Sequence, residues 1–255
     1  MQGLEEFCQA CQDLWHYGWV EGSGGNVSLR VNEPSFINGN TNSVPLGFSL
    51  PLLANTCFLI SGSGKRIKNI PKNPEENSAL IKISAKGDAY NVLWGKSKPT
   101  SELATHLKCQ AQRLLISPEQ KVILHAHPAN IIAMTFTEPL EDSAFTQKLW
   151  SMITECSIIF PDGLALLPWM LAGTNELGEA SANCMKRARV VIWAHHGVLV
   201  AANDCDGAFV LLETVEKAAQ IYMSIKDKEL LQKISKEQIQ EIEQGFGLSL
   251  GPNLL

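Results

Sequence analysis

The sequence predicts an α/β fold: one domain over residues 1–255, with a central, mostly antiparallel or mixed β-sheet covered by helices. Three observations carry this. Short apolar runs with strand character recur from Asn26 to beyond Gly197, with helical periods between them. Close connections such as Lys86-Gly87-Asp88 join neighbouring strands and favour antiparallel pairing. No internal repeat, low-complexity segment or long linker divides the chain.

From about Leu4 to Val20, the residues Phe7, Cys8, Cys11, Leu14, Trp15 and Trp19 recur at three- and four-residue steps, which predicts a helix with one buried face. A turn at Glu21-Gly22-Ser23-Gly24-Gly25 leads into the alternating strand Asn26 to Val31, and a polar loop rich in Asn and Gly runs on to about Val44. Cys57-Phe58-Leu59-Ile60 is a short buried strand ending in Ser61-Gly62-Ser63-Gly64, and Leu80 to Ile83 with Tyr90 to Trp94 form a hairpin. Leu103, Leu107, Ala111 and Leu114 mark an amphipathic helix, with Thr100 or Ser101 placed to cap it. Val122-Ile123-Leu124 is the next strand. Ile131 to Phe136 and Phe145 to Ile153 read as helices, and the segments around Ser157 to Phe160 and Leu164 to Leu167 as strands bent at Pro161-Asp162-Gly163. Thr174 opens a helix with Glu176 in its first turn, before the strand Val190 to Ala194 and another from near Gly197. Phe209, Leu212, Val215, Ala219 and Tyr222 give a long helix from about Asp206 to Lys226, and a short helix and the tail Gly251-Pro252-Asn253 close the chain.

Charge and composition narrow the function. The 21 Lys and Arg against 26 Asp and Glu leave a formal charge of −5, and 45% of residues are hydrophobic, enough for a large core. No run of basic residues offers the footprint of a phosphate-backbone binder, so nucleic acid is not an expected partner. A membrane is not expected either. The apolar stretch from Ile153 to Met170 is broken by Glu155, Pro161, Asp162 and Pro168, short of the ~20 clean residues a span needs. Glu5 and Glu6 stand where a secretory signal would carry positive charge, and an odd number of scattered cysteines, seven, reads as reduced thiols; both point to the cytoplasm. Cys8 and Cys11 form a C-x-x-C with no second pair to complete a zinc site, and read as one helix face.

The chemistry gathers in a few places. In Leu124-His125-Ala126-His127-Pro128, residues two apart at the end of a strand project from one face, so the two imidazoles converge. Ala194-His195-His196-Gly197 also ends an apolar strand and offers a third. Three neutral imidazoles leave the full charge on a divalent ion and leave positions open to substrate, which suits catalysis better than scaffolding. Glu102 stands at a helix start, where it either faces a cleft or simply complements the helix dipole. Glu155 is a charge amid apolar residues, expected to be buried with altered ionisation or to lie at an edge or interface. Ser23-Gly24-Gly25-Asn26 and Ser61-Gly62-Ser63-Gly64-Lys65 offer backbone N–H groups to a phosphate, and Thr100 and Ser101 add donors beside a helix N-terminus. Neither Gly-rich turn matches a P-loop or dinucleotide fingerprint, and each alone is an ordinary turn; together the set implies a phosphorylated small molecule.

Taken in order, Gly24-Gly25-Asn26, Ser61-Gly62-Ser63-Gly64-Lys65, Pro99-Thr100-Ser101-Glu102-Leu103, His125-Ala126-His127, Thr154-Glu155-Cys156, Phe160-Pro161-Asp162-Gly163, Leu167-Pro168-Trp169-Met170 and His196-Gly197-Val198 resemble the class II, zinc-dependent aldolases over most of the chain. The resemblance implies a three-layer α/β/α domain with one Zn²⁺ per subunit on His125, His127 and His196, the last preferred to His195 because the family's third ligand immediately precedes a Gly. It implies Glu102 as the acid/base residue, and Asn26, Ser63, Gly64, Thr100 and Ser101 around the phosphate or enediolate. Ser23 belongs to the same set but departs from the family, which has Asn there. Glu155 is implied to handle the aldehyde oxygen's proton, within the subunit or across a boundary in a fourfold homotetramer. Within the family the match is nearest the branch acting on L-rhamnulose 1-phosphate, implying its reversible cleavage to dihydroxyacetone phosphate and L-lactaldehyde. Cleavage of L-fuculose 1-phosphate and 4-epimerisation of a pentulose phosphate are the alternatives within the superfamily. A non-catalytic interaction module of the same fold is the alternative outside it, and predicts lost ligands where this chain keeps all of them.

Overall fold

A computed structural model describes residues 3–33, 43–252 and 254–255. Most of the expected polar loop, residues 34–42, and Asn253 of the tail lie outside the described residues. The first helix, α1 (Leu4–His16), buries Phe7, Ala10, Cys11 and Leu14 on one stripe. It stops short of the expected Val20 because Gly18 turns left-handed (φ 72°), and Trp19 N–H closes back on the Leu14 carbonyl at 3.0 Å.

The strands are β1 (Asn26–Val31), β2 (Val44–Pro45), β3 (Cys57–Ser61), β4 (Ser78–Ile83), β5 (Ala89–Trp94), β6 (Val122–Ala126), β7 (Leu164–Leu167), β8 (Val190–Trp193) and β9 (Gly197–Ala202). They form one nine-stranded sheet in the order β2-β5-β4-β3-β1-β6-β9-β8-β7. Every pairing is antiparallel except β7 with β8, so the sheet is mixed, as expected. The two-residue β2 left no readable pattern in the sequence, because its residues are exposed.

Side-chain alternation along the strands divides the apolar residues between two faces. Leu29, Leu59, Leu124, Ile192 and Val200 meet α1, α4 (Ala129–Thr137), α5 (Asp142–Trp150), α8 (Cys205–Ile225) and α9 (Lys236–Phe246) on one side. Phe58, Ile60, Ile123, Val191 and Leu199 meet α3 (Leu103–Ile116) and α7 (Asn175–Cys184) on the other. The result is the three-layer arrangement that was expected. α8 is the main buttress, with Leu212, Val215, Ala218 and Ala219 buried and Asp204 capping its start through Gly207 N–H at 2.7 Å. The remaining helices, α2 (Pro74–Asn77) and α6 (Glu155–Ile159), are short.

Two expectations fail. The segment around Ser157 to Phe160 is not a strand but the helix α6, with Cys156 and Phe160 buried together one turn apart in the core on the α8 side. A five-residue apolar run does not separate the two periods, and here the four-residue spacing prevails. Neither Thr100 nor Ser101 caps α3: the N-cap position is Glu102 itself, with no side-chain cap, while Thr100 Oγ1 accepts from Glu102 N–H at 3.3 Å. The Glu102 side chain is thus left to a different task.

The register gathers the sequence motifs at one end of the sheet. Asn26, first in β1, pairs with His125 near the end of β6; Ala126 pairs with Val198 in β9; and Trp193, last in β8, pairs with Gly197. Ser61 ends β3 at the same edge, and an isolated bridge joins Gly62 to Pro99.

Candidate active site

The i, i+2 spacing of His125 and His127 works as the strand period requires, with their Nε2 atoms 3.0 Å apart. Each ring is oriented by its other nitrogen. His125 Nδ1 lies 3.0 Å from the Val198 carbonyl, and His127 Nδ1 2.8 Å from Glu21 Oε1, so each Nδ1 donates and each Nε2 lone pair faces inward. The third ring is that of His196, and the candidate ligand atoms of the three all lie within 4.8 Å of one another. His195 turns away: it holds a left-handed conformation (φ 63°), its N–H donates to Thr135 Oγ1 at 3.0 Å, and its ring lies tilted against Phe136, with centroids 4.1 Å apart. The buried Trp193 ring lies against both His125 and His196, with centroids 4.5 and 5.1 Å away.

Close backbone approach makes the cluster possible. A side-chain carbon on Gly24 would sit 2.7 Å from the His127 ring, and one on Gly197 2.4 Å from the Ala126 carbonyl and 2.9 Å from both rings. The Gly24-Gly25 turn therefore makes room for the imidazoles. Gly24 N–H is already committed to the Glu21 carbonyl at 2.7 Å, which corrects the reading of that amide as a phosphate donor.

Glu102 is buried, with Oε2 3.9 Å from His125 Nε2 and 3.3 Å from the Asn26 amide nitrogen. The helix-dipole explanation of this carboxylate is thereby set aside. Burial pushes its carboxyl up to about 7, against the opposing hydrogen bond from Asn26. Burial also holds His125 well below its ordinary range and takes His196 down to about 4, in each case helped by the neighbouring His127. Imidazole nitrogens converging on one point, with His125 and His127 held by bonds to their outer nitrogens, are what a divalent cation requires. The residues present fit such an ion.

Two loops adjoin the cluster. Ser63 N–H donates to the Lys98 carbonyl at 2.8 Å and Thr100 N–H to the Ser61 carbonyl at 2.9 Å, which brings Ser63, Gly64, Thr100 and Ser101 side by side. Ser63 and Ser101 are exposed, and Gly64 (φ 67°) borders open space. Ser23 is exposed in the turn before Gly24. Glu155 is not buried as one reading had it: it is exposed in the first turn of α6, and among the described residues no hydrogen bond or ion pair joins it to the imidazoles. The sequence reading missed Glu21, Trp193 and the buried His106, whose Nε2 is bonded to Asn26 Oδ1. One signal was present: Asn26 and Ser28, with Arg30, place polar side chains on one face of the strand, opposite the apolar Val27, Leu29 and Val31.

A family described as "Class II Aldolase and Adducin N-terminal domain" matches residues 5–223 of this chain. The chain belongs to the class II aldolase family. A rhamnulose-1-phosphate aldolase of Listeria welshimeri is 51% identical over 87% of this chain and 83% of its own. A protein of the same name from Escherichia coli is 36% identical over 96% of this chain and 94% of its own. Among solved structures, a sugar-phosphate aldolase from Thermotoga maritima superposes with a TM-score of 0.79 at 26% identity, covering 90% of this chain and 97% of that one. An L-fuculose 1-phosphate aldolase, at 20% identity and a TM-score of 0.65, shares the class II aldolase fold. As a class II aldolase, the chain has in its three histidines a group able to hold the metal.

Proposed function

We propose that this protein cleaves L-rhamnulose 1-phosphate reversibly to dihydroxyacetone phosphate and L-lactaldehyde, with one Zn²⁺ per subunit on His125, His127 and His196. The observation that carries the reading is the buried Glu102 carboxylate 3.9 Å from the nitrogen of His125, one of the three clustered imidazoles. The ion supplies Lewis-acid stabilisation of the negative charge that develops on substrate oxygens as the carbon–carbon bond breaks. The protein's own groups do the rest. Glu102 removes the proton from the carbon beside the carbonyl in the synthetic direction and returns it in cleavage, and its raised pKa suits both roles. Asn26 holds that carboxylate through its amide. Ser63, Gly64, Thr100 and Ser101, on the two adjoining loops, take the phosphate, with Ser23 at the rim. The 51% identity to a rhamnulose-1-phosphate aldolase supports the choice of sugar.

The protein acts, in this reading, as a cytoplasmic homotetramer with Glu155 serving the aldehyde oxygen from a neighbouring subunit. The exposure of Glu155 supports that placement, as do the exposed Phe136, Trp169 and Leu171, apolar surface beside the β7 and β8 ends. Seven free cysteines support a reducing compartment. Among the described residues, no helix is long and apolar enough to cross a membrane.

A product assay tests the function. Dihydroxyacetone phosphate should form from L-rhamnulose 1-phosphate faster than from L-fuculose 1-phosphate, and excess chelator should abolish it. Release from the fuculose ester alone, or a rate indifferent to chelator, would overturn the reading.

A further inference from the structure

His106 lies one helical turn beyond Glu102 on α3, its side chain fully buried, and the reaction described above makes no use of it. It belongs to a continuous line of polar side chains that starts at backbone carbonyls and ends at Glu102. Gln110, a further turn along α3, donates through Nε2 to the carbonyls of Lys121 at 2.9 Å and Ser28 at 3.3 Å, and the same nitrogen lies 3.3 Å from Ser28 Oγ. Carbonyls only accept, so Gln110 presents its NH₂ here, one N–H toward Lys121 and the other shared between the Ser28 carbonyl and Ser28 Oγ. Among the described residues Gln110 Oε1 has no partner, so none of them opposes this orientation from that side of the amide.

The polarity then propagates. Ser28 Oγ has one proton to give, and His106 Nδ1 lies 2.8 Å away. If that proton goes to Nδ1, Nδ1 is the bare nitrogen and Nε2 carries the proton of the neutral ring, which is the tautomer the Asn26–Glu102 contact requires. Burial keeps the ring neutral, depressing its pKa to about 3. His106 Nε2–H faces Asn26 Oδ1, which leaves the Asn26 NH₂ directed at Glu102 Oε2, 3.3 Å away. The opposite tautomer would turn the Asn26 carbonyl toward the carboxylate, two acceptors in contact.

We propose that His106 is a positioning residue for Glu102: through the Ser28–His106–Asn26 line it fixes the Asn26 amide so that an N–H, not a carbonyl, meets the carboxylate. The inference rests on the reading of Glu102 as the residue that moves the substrate proton, but the arrangement of protons it specifies stands apart from any substrate.

Two measurements test it. In metal-loaded protein carrying ¹⁵N-labelled histidine rings, the His106 resonances, assigned by their loss in His106→Gln, should show the neutral tautomer protonated at Nε2. Protonation at Nδ1 or at both nitrogens overturns the proposal whatever the substrate. In turnover, His106→Phe keeps a planar ring without a donor and should lower kcat about tenfold or more, with KM and zinc content within about twofold of the parent. His106→Gln, whose amide can again donate to Asn26, should recover most of that loss. Equal losses in both variants, or a loss that follows zinc content, also overturn it. If the parent fails to cleave L-rhamnulose 1-phosphate, the substrate reading fails, and the tautomer measurement alone decides the role of His106.

Discussion

Burial raises the Glu102 carboxyl to about 7, and the Asn26 amide is what opposes that rise. Removing the charge while keeping the shape isolates its role: Glu102→Gln should lower turnover by on the order of 10²–10⁴ and leave the metal in place, and metal analysis beside the rate distinguishes the two effects. Glu21 has a different task, since its carboxylate orients His127 through Nδ1 at 2.8 Å. Glu21→Ala should weaken zinc binding by about tenfold to a hundredfold, read by competition with a coloured chelator; unchanged affinity would show that the ring is held by other contacts. The strand period made the H-x-H pair legible in advance, the end of a second apolar strand offered a third imidazole from His195 or His196, and only the family resemblance, whose third ligand immediately precedes a Gly, chose His196. Position alone left Glu102 undecided, because burial rather than sequence neighbours separates a cleft carboxylate from a dipole-matching one. The polar face of β1 hinted at a buried partner, but nothing in the sequence named His106 or Glu21. Their partners stand 80 and 106 residues away along the chain, and only the sheet register brings them together.

At the scale of elements, the long or strongly periodic segments were readable and the short ones were not. α8 and β9 follow directly from their patterns, whereas the α6 segment reads as a strand in sequence because five apolar-rich residues satisfy either period. The two assignments make different demands on stability. A strand would bury Cys156, Ile158 and Phe160 on one face, while the helix buries Cys156 and Phe160 and leaves Ile158 half-exposed. Phe160→Ala should therefore cost about 3–5 kcal/mol in urea unfolding and Ile158→Ala clearly less. Equal costs would contradict the helix. The β8–β9 turn shows how an element serves the site: His195 takes the left-handed position, bonded to Thr135, so that the next residue presents its ring to the cluster.

For the whole molecule, a sheet that ends β1, β3, β6 and β8 at one edge concentrates buried neutral histidines there, and this has a consequence for stability. Folding holds His106 and His196 at about 3 and about 4, far below the value near 6.5 of an unfolded chain, with His125 displaced in the same direction. The unfolded state therefore binds protons first. The stability these rings contribute is fully present above pH ~6.5 and is lost as pH falls toward the folded-state values. Glu102, raised to about 7, opposes this by taking up its proton first in the folded state, but three histidines outweigh one carboxyl: metal-free protein should unfold at lower urea concentration at about pH 5.5 than at about pH 7.5, and a midpoint that rises at the lower pH would refute the burial argument. The central claim, that His125, His127 and His196 hold one divalent ion beside Glu102, meets its most direct test in metal analysis of protein purified without added zinc. One ion per chain is expected in the parent and in His195→Ala, and none in His196→Ala. Metal retained by His196→Ala and lost from His195→Ala would contradict the account.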